Sequence, residues 1–408
     1  MNTRFLNIEI RSLLLVALLG TISATSWFAG GVCARAGEAE EADINRFATK
    51  AKALPIKISG YAGEAASVLQ FDLYMAGFDT ASTAAPEYTL EASGTTGVGG
   101  RLTDVVGKKV LFDKAFSGGS GRSQAHALAD EVVEAITGKP GIASRAKIAF
   151  KVRKGQNFEL YVADYDGYNA KQMTQDDTVL ASPSWAPNTA KIYYTTYKFG
   201  NADIVWQDLK TGERKSVARY SGSNMSPAAS PDGRYVAFVA SKSGSPDIYV
   251  AGASGENPRQ ITVTREDESS PCWSPDGMSL CFATKMNGRR ILATASANGG
   301  SVKQLLTRGA ANPSEPSWSP DGKEIAFTSQ MKDFFVCTVP AAGGEAQVLV
   351  AGEDAAWGPN SRTLILTRRL PGGKRTLSLL DVPTKHMKDV GQSLGECSQP
   401  CWGRLSAP

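Results

Sequence analysis

Trp273-Ser274-Pro275-Asp276-Gly277 and Trp318-Ser319-Pro320-Asp321-Gly322 are two copies of the stretch that decides the fold. Related copies begin at Trp185, Ala229, Trp357 and Trp402, and the six copies are spaced by 44, 44, 45, 39 and 45 residues. In Ser-Pro-Asp-Gly, Pro presets the first bend, Asp bonds its own backbone and Gly accepts a left-handed conformation. Each copy therefore predicts the tip of a β-hairpin.

Short β-rich runs recur around these tips. One run follows each of the first five tips, at residues 191–196, 234–239, 279–284, 324–329 and 363–368. After that run comes a second β-rich run, then a turn that usually contains Gly, and then a third β-rich run. A fourth β-rich run enters the next tip. Four strands in a period of roughly 40 to 45 residues are typical of a β-propeller blade, so six periods predict six blades. The alternative, unrelated strands of a sandwich, would not give six tips at near-constant spacing.

The sequence also predicts how the ring closes. Runs at 147–151, 158–162 and 171–174 resemble the second, third and fourth strands of a blade that lacks its first strand. Residues 396–402 resemble a first strand with no further strands after it. We therefore expect the C-terminal strand to complete the N-terminal blade, which would leave no open sheet edge.

Residues 1–36 have the pattern of a secretory signal peptide. Arg4 and Arg11 precede an apolar run from Leu13 to Leu19, and Ala34-Arg35-Ala36 gives a small-x-small cleavage pattern. The mature chain is predicted to start at Gly37 and to be exported. The apolar run is too short for a spanning helix of about 20 residues, so no membrane insertion is expected after processing. A retained N-terminal anchor is the alternative, whereas Val32 before Cys33 disfavours a lipoprotein.

Two further segments precede the repeats. Residues 37–50 are acidic and poor in apolar residues, which predicts a flexible leader. Residues 51–140 alternate β-rich runs with two helical stretches, 64–76 and 123–137, and predict a small α/β domain. The predicted propeller then occupies residues 141–408.

The net charge gives no support to two classes of partner. The formal net charge is +4 for the whole chain, and Arg4, Glu9, Arg11 and Arg35 account for +2 of it. The remaining balance of +2 gives no reason to expect binding to nucleic acid or to an anionic membrane surface.

Five cysteines remain after the predicted cleavage: Cys272, Cys281, Cys337, Cys397 and Cys401. Their spacing is not that of a zinc site. Cys272 and Cys281 flank one tip, and a four-residue loop at 275–278 would set them opposite each other on one face of the hairpin, close enough for a disulfide. A three-residue loop would point them to opposite faces. A disulfide in an exported protein and two free core thiols both remain open.

One family resemblance covers most of the chain. The segments 101–111, 129–138 and 146–150, together with the Trp-Ser-Pro-Asp-Gly tips and the run Asp247-Ile248-Tyr249-Val250, resemble the TolB family of the Tol-Pal cell-envelope system. The resemblance spans roughly residues 55–402 and is weakest before residue 100. It implies a periplasmic scaffold that binds a Pal-like peptidoglycan-associated lipoprotein at the propeller and a TolA-like inner-membrane protein through its N-terminal region, in support of envelope integrity and cell division.

Residues with catalytic potential are scarce. The chain has two histidines, His126 and His386, and neither lies near a recognisable nucleophile motif. The segment Gly118-Gly119-Ser120-Gly121 lacks the features of a phosphate-binding loop and is interpreted as the loop before a helix. We therefore expect neither an enzyme nor a bound cofactor or metal. The alternative is a propeller accessory or enzyme of the prolyl-oligopeptidase or lactonase type; the first would need a hydrolase domain, and the second several carboxylates around a channel metal.

The loops that lead into the first strand of each blade are the predicted docking surface. They occupy residues 175–178, 221–225, 265–270, 311–315, 352–354 and 395–398. First strands line the channel of a propeller, so these loops should gather around one mouth and form a polar rim. Asn224, Glu268, Ser269 and Glu315 are the predicted partner-binding residues. General surface polarity of loops is the alternative explanation of their composition.

Overall fold

The computed structural model describes residues 50–81, 85–94 and 97–404. The predicted signal peptide at residues 1–36 lies outside the described residues, and so does the predicted leader except for Lys50. Residues 51–140 form a small α/β unit, and the rest of the described chain forms a six-bladed β-propeller. The predicted fold class is therefore confirmed.

The α/β unit is one five-stranded sheet covered by two helices. The strand order is β2-β1-β3-β4-β5, with β1 parallel to β2 and β3 and the other pairs antiparallel. In chain order its elements are β1 (Leu54–Ser59), α1 (Gly63–Met75), β2 (Phe78–Asp79), β3 (Tyr88–Ala92), β4 (Val98–Asp104), β5 (Lys109–Phe116) and α2 (Gly121–Thr137).

Local sequence explains where α2 begins and ends. Ser120 is its N-cap, and its hydroxyl accepts the backbone N–H of Ser123 at 3.2 Å. Gly138 ends the helix in the left-handed conformation, with φ of 68°. The apolar face of α2 packs Leu128 and Val132 against the sheet, both fully buried. No helix among the described residues combines the length and the apolar character needed to cross a membrane.

The propeller consists of six four-stranded antiparallel sheets. The strands of each blade are given from the channel outward. Blades 1 and 2 consist of β31 (Cys397–Arg404), β6 (Ala146–Lys154), β7 (Asn157–Asp164) and β8 (Lys171–Gln172), and of β9 (Leu180–Trp185), β10 (Lys191–Thr196), β11 (Asp203–Asp208) and β12 (Arg214–Ala218). Blades 3 and 4 consist of β13 (Asn224–Ala229), β14 (Tyr235–Ala240), β15 (Asp247–Gly252) and β16 (Arg259–Gln260), and of β17 (Ser269–Trp273), β18 (Ser279–Met286), β19 (Arg289–Ser296) and β20 (Lys303–Leu305). Blades 5 and 6 consist of β22 (Pro313–Trp318), β23 (Glu324–Gln330), β24 (Phe334–Pro340) and β26 (Gln347–Ala351), and of β27 (Glu353–Trp357), β28 (Thr363–Arg369), β29 (Arg375–Asp381) and β30 (Met387–Val390). A short parallel pair, β21 (Thr307–Arg308) with β25 (Gly344–Glu345), links blades 4 and 5, and a 3-10 helix at Gln392–Leu394 precedes β31.

The predicted tips and the predicted closure are both present. Gly233, Gly277 and Gly322 have φ of 71°, 70° and 77°, as the Pro-Asp-Gly turns require. β31 pairs with β6 antiparallel, with Cys397 opposite Val152. The first blade is thus completed by the strand farthest along the chain, and the ring is closed.

Polar contacts join the α/β unit to the propeller. Asp72 of α1 is 3% exposed, and it accepts hydrogen bonds from the ring Nδ1 of His126, at 2.7 Å, and from the hydroxyl of Tyr165 in the turn after β7. Arg122 of α2 pairs with Asp166 of the same turn. His386 of blade 6 lies stacked on Tyr74 of α1, with the ring centroids 4.0 Å apart. The two units therefore share a buried polar contact surface.

Candidate partner-binding face

The six innermost strands carry the same irregularity at the same place. Each of β9, β13, β17, β22, β27 and β31 shifts register by a β-bulge, and the residue in each bulge has a positive φ between 50° and 55°. Non-glycine residues with positive φ are uncommon, so six equivalent ones form a built feature of the channel. These residues are Ser182, Ser226, Ser270, Glu315, Asp354 and Gln399, and we call them the bulge ring. They line a cavity of about 370 Å³ at the centre of the propeller.

Side chains of the bulge ring link three blades to the blade that follows. The carboxylate of Glu315 accepts the backbone N–H of Asp354 at 3.2 Å, and the carboxylate of Asp354 accepts that of Gln399 at 3.3 Å. The side-chain oxygen of Gln399 in turn accepts the N–H of Ser182 at 2.9 Å. The backbone N–H of Ser226, in contrast, donates to the hydroxyl of Thr195 at 3.1 Å. The longer ring side chains therefore satisfy the backbone groups that the bulges free.

Acidic groups dominate one side of the channel. Burial raises the pKa of Asp354 to about 8, and the negative charges of Glu315 and Glu353 add to this shift. Lys151 of β6 acts in the opposite direction on Asp354, while burial lowers the pKa of Lys151 itself. Crowded carboxylates resist losing all their protons together. This part of the mouth therefore offers hydrogen-bond acceptors at less than full negative charge near neutral pH.

A family model described as the TolB beta propeller domain matches residues 133–406. The chain belongs to the TolB family. Two curated relatives, both named Tol-Pal system protein TolB, come from Nitrosomonas europaea and Actinobacillus pleuropneumoniae. The first is 40% identical over 126 residues, which is 30% of this chain and 29% of the relative. The second is 41% identical over 104 residues, or 25% of this chain and 24% of the relative. The matched segments thus span less than a third of the length of these relatives.

A solved structure extends the likeness to the whole fold. The crystal structure of TolB from Acinetobacter baumannii superposes with a TM-score of 0.76, covering 87% of this chain and 98% of that chain, at 23% sequence identity. At this identity the match shows the fold, and the α/β unit followed by the propeller is the architecture that both chains share.

The four predicted partner-binding residues of this TolB-family chain do not lie on one surface. Glu315 belongs to the bulge ring, and Ser269 is half-buried next to Ser270, where its hydroxyl accepts a hydrogen bond from Arg290 at 3.0 Å. Asn224 and Glu268, in contrast, are 0% and 2% exposed. The expectation that all four form an exposed rim is therefore corrected for these two, and a docking role for the four residues stays a prediction.

The burial of Asn224 and Glu268 has a structural cause. The amide of Asn224 donates to the carbonyl of Tyr220 at 2.9 Å and to that of Ala202 at 3.2 Å. Glu268 accepts hydrogen bonds from the hydroxyls of Thr262, Thr264 and Thr284, and burial raises its pKa. Both side chains thus hold the loops that lead into β13 and β17.

Sequence reasoning missed half of the bulge ring. Ser226 and Gln399 lie one residue after the end of a predicted loop, and Ser182 lies four residues after the end of another. A signal for them existed, because five of the six ring residues directly precede Pro, and each lies three residues before the tip position of its blade. In the residues that the structure describes, no group of three or more His, Cys, Asp or Glu side chains is arranged to hold a metal ion.

Cys272 and Cys281 lie directly opposite each other across β17 and β18, in the register that the four-residue loop predicts. Both thiols are free in the structure, Cys281 fully buried and Cys272 half-buried at the channel wall. Burial raises the pKa of the Cys281 thiol well above its usual value. The disulfide between them stays a prediction.

Proposed function

We propose that the chain is a periplasmic, non-enzymatic scaffold of the Tol-Pal system. In this proposal the channel mouth binds a Pal-like peptidoglycan-associated lipoprotein of the outer membrane, and the N-terminal region binds a TolA-like inner-membrane protein. Such links would support envelope integrity and cell division. The observation that carries the proposal is the bulge ring, which gathers polar groups from all six blades at one opening on a TolB-family fold.

The histidines support a scaffold rather than a hydrolase. The ring of His126 contacts Asp72, and Nδ1 of His386 lies 2.8 Å from the carbonyl oxygen of Tyr74. Both side chains therefore serve the contact between the α/β unit and the propeller, and neither lines the central cavity. A serine hydrolase would instead need one of them beside a nucleophile.

Capture of partners tests the proposal. The soluble domain of the Pal-like lipoprotein encoded in the same genome is titrated with wild type, with Glu315→Lys and with Gln399→Lys, and thermal melts confirm that each variant is folded. We expect at least about a tenfold loss of affinity in both variants, corresponding to about 1.4 kcal/mol. Asp232→Lys, at a tip on the opposite face of the propeller, should bind like wild type.

Cross-linking in intact cells covers the second partner. The Pal-like lipoprotein and the TolA-like protein should both co-purify with the chain from a cross-linked cell envelope. Binding that is unchanged in both channel variants would place docking elsewhere, and capture of neither partner would contradict the scaffold function itself.

A further inference from the structure

Every blade carries basic residues in the connection between its second and third strands. The six connections, taken together with the adjoining strand ends in blades 1, 4 and 6, are residues 153–156, 197–202, 241–246, 285–290, 331–333 and 368–375. They contain twelve Lys or Arg and one acidic residue, Asp333, and Asp203 and Asp247 directly follow two of them. No connection lacks a cation. The basic residues are Arg153, Lys154, Lys198, Lys242, Lys285, Arg289, Arg290, Lys332, Arg368, Arg369, Lys374 and Arg375, and we call them the cationic crown.

The cationic crown surrounds the channel mouth. In each blade the start of the innermost strand pairs with the end of the second strand, as Asn224 does with Ala240. The crown connections therefore lie beside the loops that lead into the channel. Direct contacts agree, because Lys198 pairs with Asp176 at 2.6 Å, and Arg153 pairs with Glu396 at 3.0 Å. Asp176 and Glu396 both belong to those loops.

Half of the crown residues are exposed and have no ion-pair partner among the described residues. These residues are Lys154, Lys242, Lys285, Arg289, Lys332 and Lys374. Lys242 lies over the rings of Tyr220 and Tyr249, at 3.9 Å and 4.5 Å from their centroids. Such a contact positions an ammonium group without cancelling its charge.

The opposite face has no comparable excess of charge. The five Pro-containing tips, residues 187–190, 231–234, 275–278, 320–323 and 359–362, hold three acidic and three basic residues. The mouth face also includes the loops that lead into the first strands, which contain nine acidic residues and one basic residue. Its excess is therefore three basic residues, whereas the tips have no excess of either sign. A charged ring on one face raises the rate of encounter with a partner of opposite sign.

Apolar side chains on the same connections favour a protein as the partner. Tyr197, Phe199, Met286 and Met331 are 41%, 49%, 36% and 40% exposed. Aromatic residues, Met and Arg are enriched in protein interfaces. The recessed mouth of about 370 Å³ also suits a protruding polypeptide segment, which a flat layer of lipid headgroups would not fill.

We propose that the cationic crown docks a protein whose contact surface has an acidic periphery and hydrogen-bond donors at its centre. The periphery meets the crown, and the central donors meet Glu315, Asp354 and Gln399 of the bulge ring. This inference rests on the proposed scaffold function and specifies the chemistry of the partner's surface. The carboxylates of Glu268 and Glu353 are buried inside the blades, so they are not presented to a partner at the surface.

Matched charge variants test the crown. The crown variant is Lys154→Gln, Lys242→Gln, Lys285→Gln and Lys332→Gln combined. The control variant is Lys171→Gln, Lys210→Gln, Lys303→Gln and Lys323→Gln combined, which removes the same charge from exposed sites outside the crown. The rate of association with the soluble Pal-like domain is measured for each at 25 to 300 mM NaCl, concentrations of the order at which screening of exposed charges changes strongly.

We expect the wild-type rate constant to fall about tenfold across this salt range. The crown variant should start about tenfold lower and vary little with salt, whereas the control should follow wild type. Equal rates for the crown variant and wild type at every salt concentration would overturn the inference and leave the scaffold function standing.

A second probe separates the inference from the scaffold function. If the Pal-like domain binds no form of the protein, a fluorescent Glu-rich peptide and its Lys-rich counterpart replace it. Binding of the acidic peptide alone, lost in the crown variant and kept in the control, supports the crown. Equal binding to crown and control variants overturns it. Crown-dependent retention on phosphatidylglycerol vesicles without peptide binding would assign the face to a membrane and also overturn it.

Discussion

Both histidines of the chain lie at the contact between the α/β unit and the propeller. His126 and His386 lie on opposite sides of the boundary between the α/β unit and the propeller, the first bonded to Asp72 and the second stacked on Tyr74. Nε2 of His126 lies 3.6 Å from the carboxylate of Asp166. His126 is therefore a titratable group at the boundary between the α/β unit and the propeller.

The first prediction concerns His126. Burial disfavours its charged form, but the hydrogen bond and the charge of Asp72 outweigh burial and raise its pKa. A raised pKa contributes stability in full below the unfolded value of about 6.5, and the contribution is lost as the pH rises through the folded pKa. His126→Gln should therefore lower the free energy of unfolding by about 2 kcal/mol at pH 5.5 and by less at pH 8.5.

Urea unfolding at pH 5.5 and at pH 8.5 measures this effect. In a cycle with Asp72→Asn, the coupling between the two side chains should shrink as the pH rises. A loss in His126→Gln that is the same at pH 5.5 and pH 8.5 would contradict the assigned ion pair.

The second prediction concerns Asp354. Its pKa of about 8 means that the folded state keeps a proton that the unfolded chain releases near pH 4. Wild type should therefore lose stability as the pH rises from about 4 to 8, relative to Asp354→Asn. The amide oxygen of the variant still accepts the hydrogen bond from Gln399. Thermal melts from pH 4.5 to pH 9 measure the difference between the two proteins.

Asp232 provides a control, because its pKa is shifted in the opposite direction to that of Asp354. The hydrogen bond from Ser230 lowers the pKa of Asp232 to about 2, and Arg234 adds to the shift. Its stabilising contribution is complete above the unfolded pKa of about 4 and is lost only as the pH falls through about 2. Asp232→Asn should thus be less stable than wild type by a constant amount from pH 5 to pH 9. The same trend for Asp232→Asn and Asp354→Asn would refute the assignment at Asp354.

Each innermost strand combines a bulge and a hairpin tip within about eight residues. The tip reverses the chain, while the bulge places one left-handed residue at the channel. Between the bulge and the tip of β17 lies Cys272, one residue past the Pro that follows Ser270. The two local signals together fix the register in which Cys272 meets Cys281.

The third prediction is a disulfide between Cys272 and Cys281 in the exported protein. Opposite residues of an antiparallel pair lie about 4.5 to 5.5 Å apart between Cα atoms, within reach of a disulfide. Peptide mapping without reduction should show one species covering 272–281 that lacks two hydrogens and shifts on reduction. Cys337 is buried in a neighbouring sheet, and its peptide serves as the unshifted reference. Equal mobility with and without reductant would show that both thiols stay free.

Local chemistry explains what the sequence could predict about these elements. Pro-Asp-Gly requires a left-handed Gly at a fixed place, so the tips, the second strands and the number of blades could be predicted from local pattern alone. The burial of Glu268 could not, because it depends on hydroxyls of Thr262 and Thr284 that only the folded blade brings together. The bulge ring required a second repeated signal, the residue before Pro, to be recognised beside the tip.

At the scale of the whole molecule, the ring is joined at a single seam. Blade 1 takes its innermost strand, β31, from the far end of the described chain, and Gly403 of that strand packs against Trp185 of blade 2. A Cβ on Gly403 would lie 2.2 Å from the indole ring, closer than atoms can approach. Close packing at the seam therefore requires glycine at position 403.

The fourth prediction tests this seam. Gly403→Ala should lower the free energy of unfolding by about 1 to 3 kcal/mol, because the strand or the indole must move. Trp185→Leu in the same chain should remove part of the clash, so the two changes together should cost less than the sum of their separate costs. Gly121→Ala, where no atom lies within 4 Å of the added carbon, is the matched control. Chemical denaturation of all four variants measures the effect, and an unchanged midpoint in Gly403→Ala would show that the seam is loosely packed.

The pairing of β31 with β6 has a further consequence for how the molecule is made. Synthesis runs from the N terminus, so β6 emerges well before its partner, and the other five blades are produced between them. Contacts separated by such a long stretch of chain form slowly, because a large loop must be closed before they contribute any stability. Until then the first blade exposes an unpaired strand edge, the kind of surface that chaperones protect. We therefore expect chaperones to bind the chain during its synthesis, until the first blade, which is the last to be completed, gains its innermost strand.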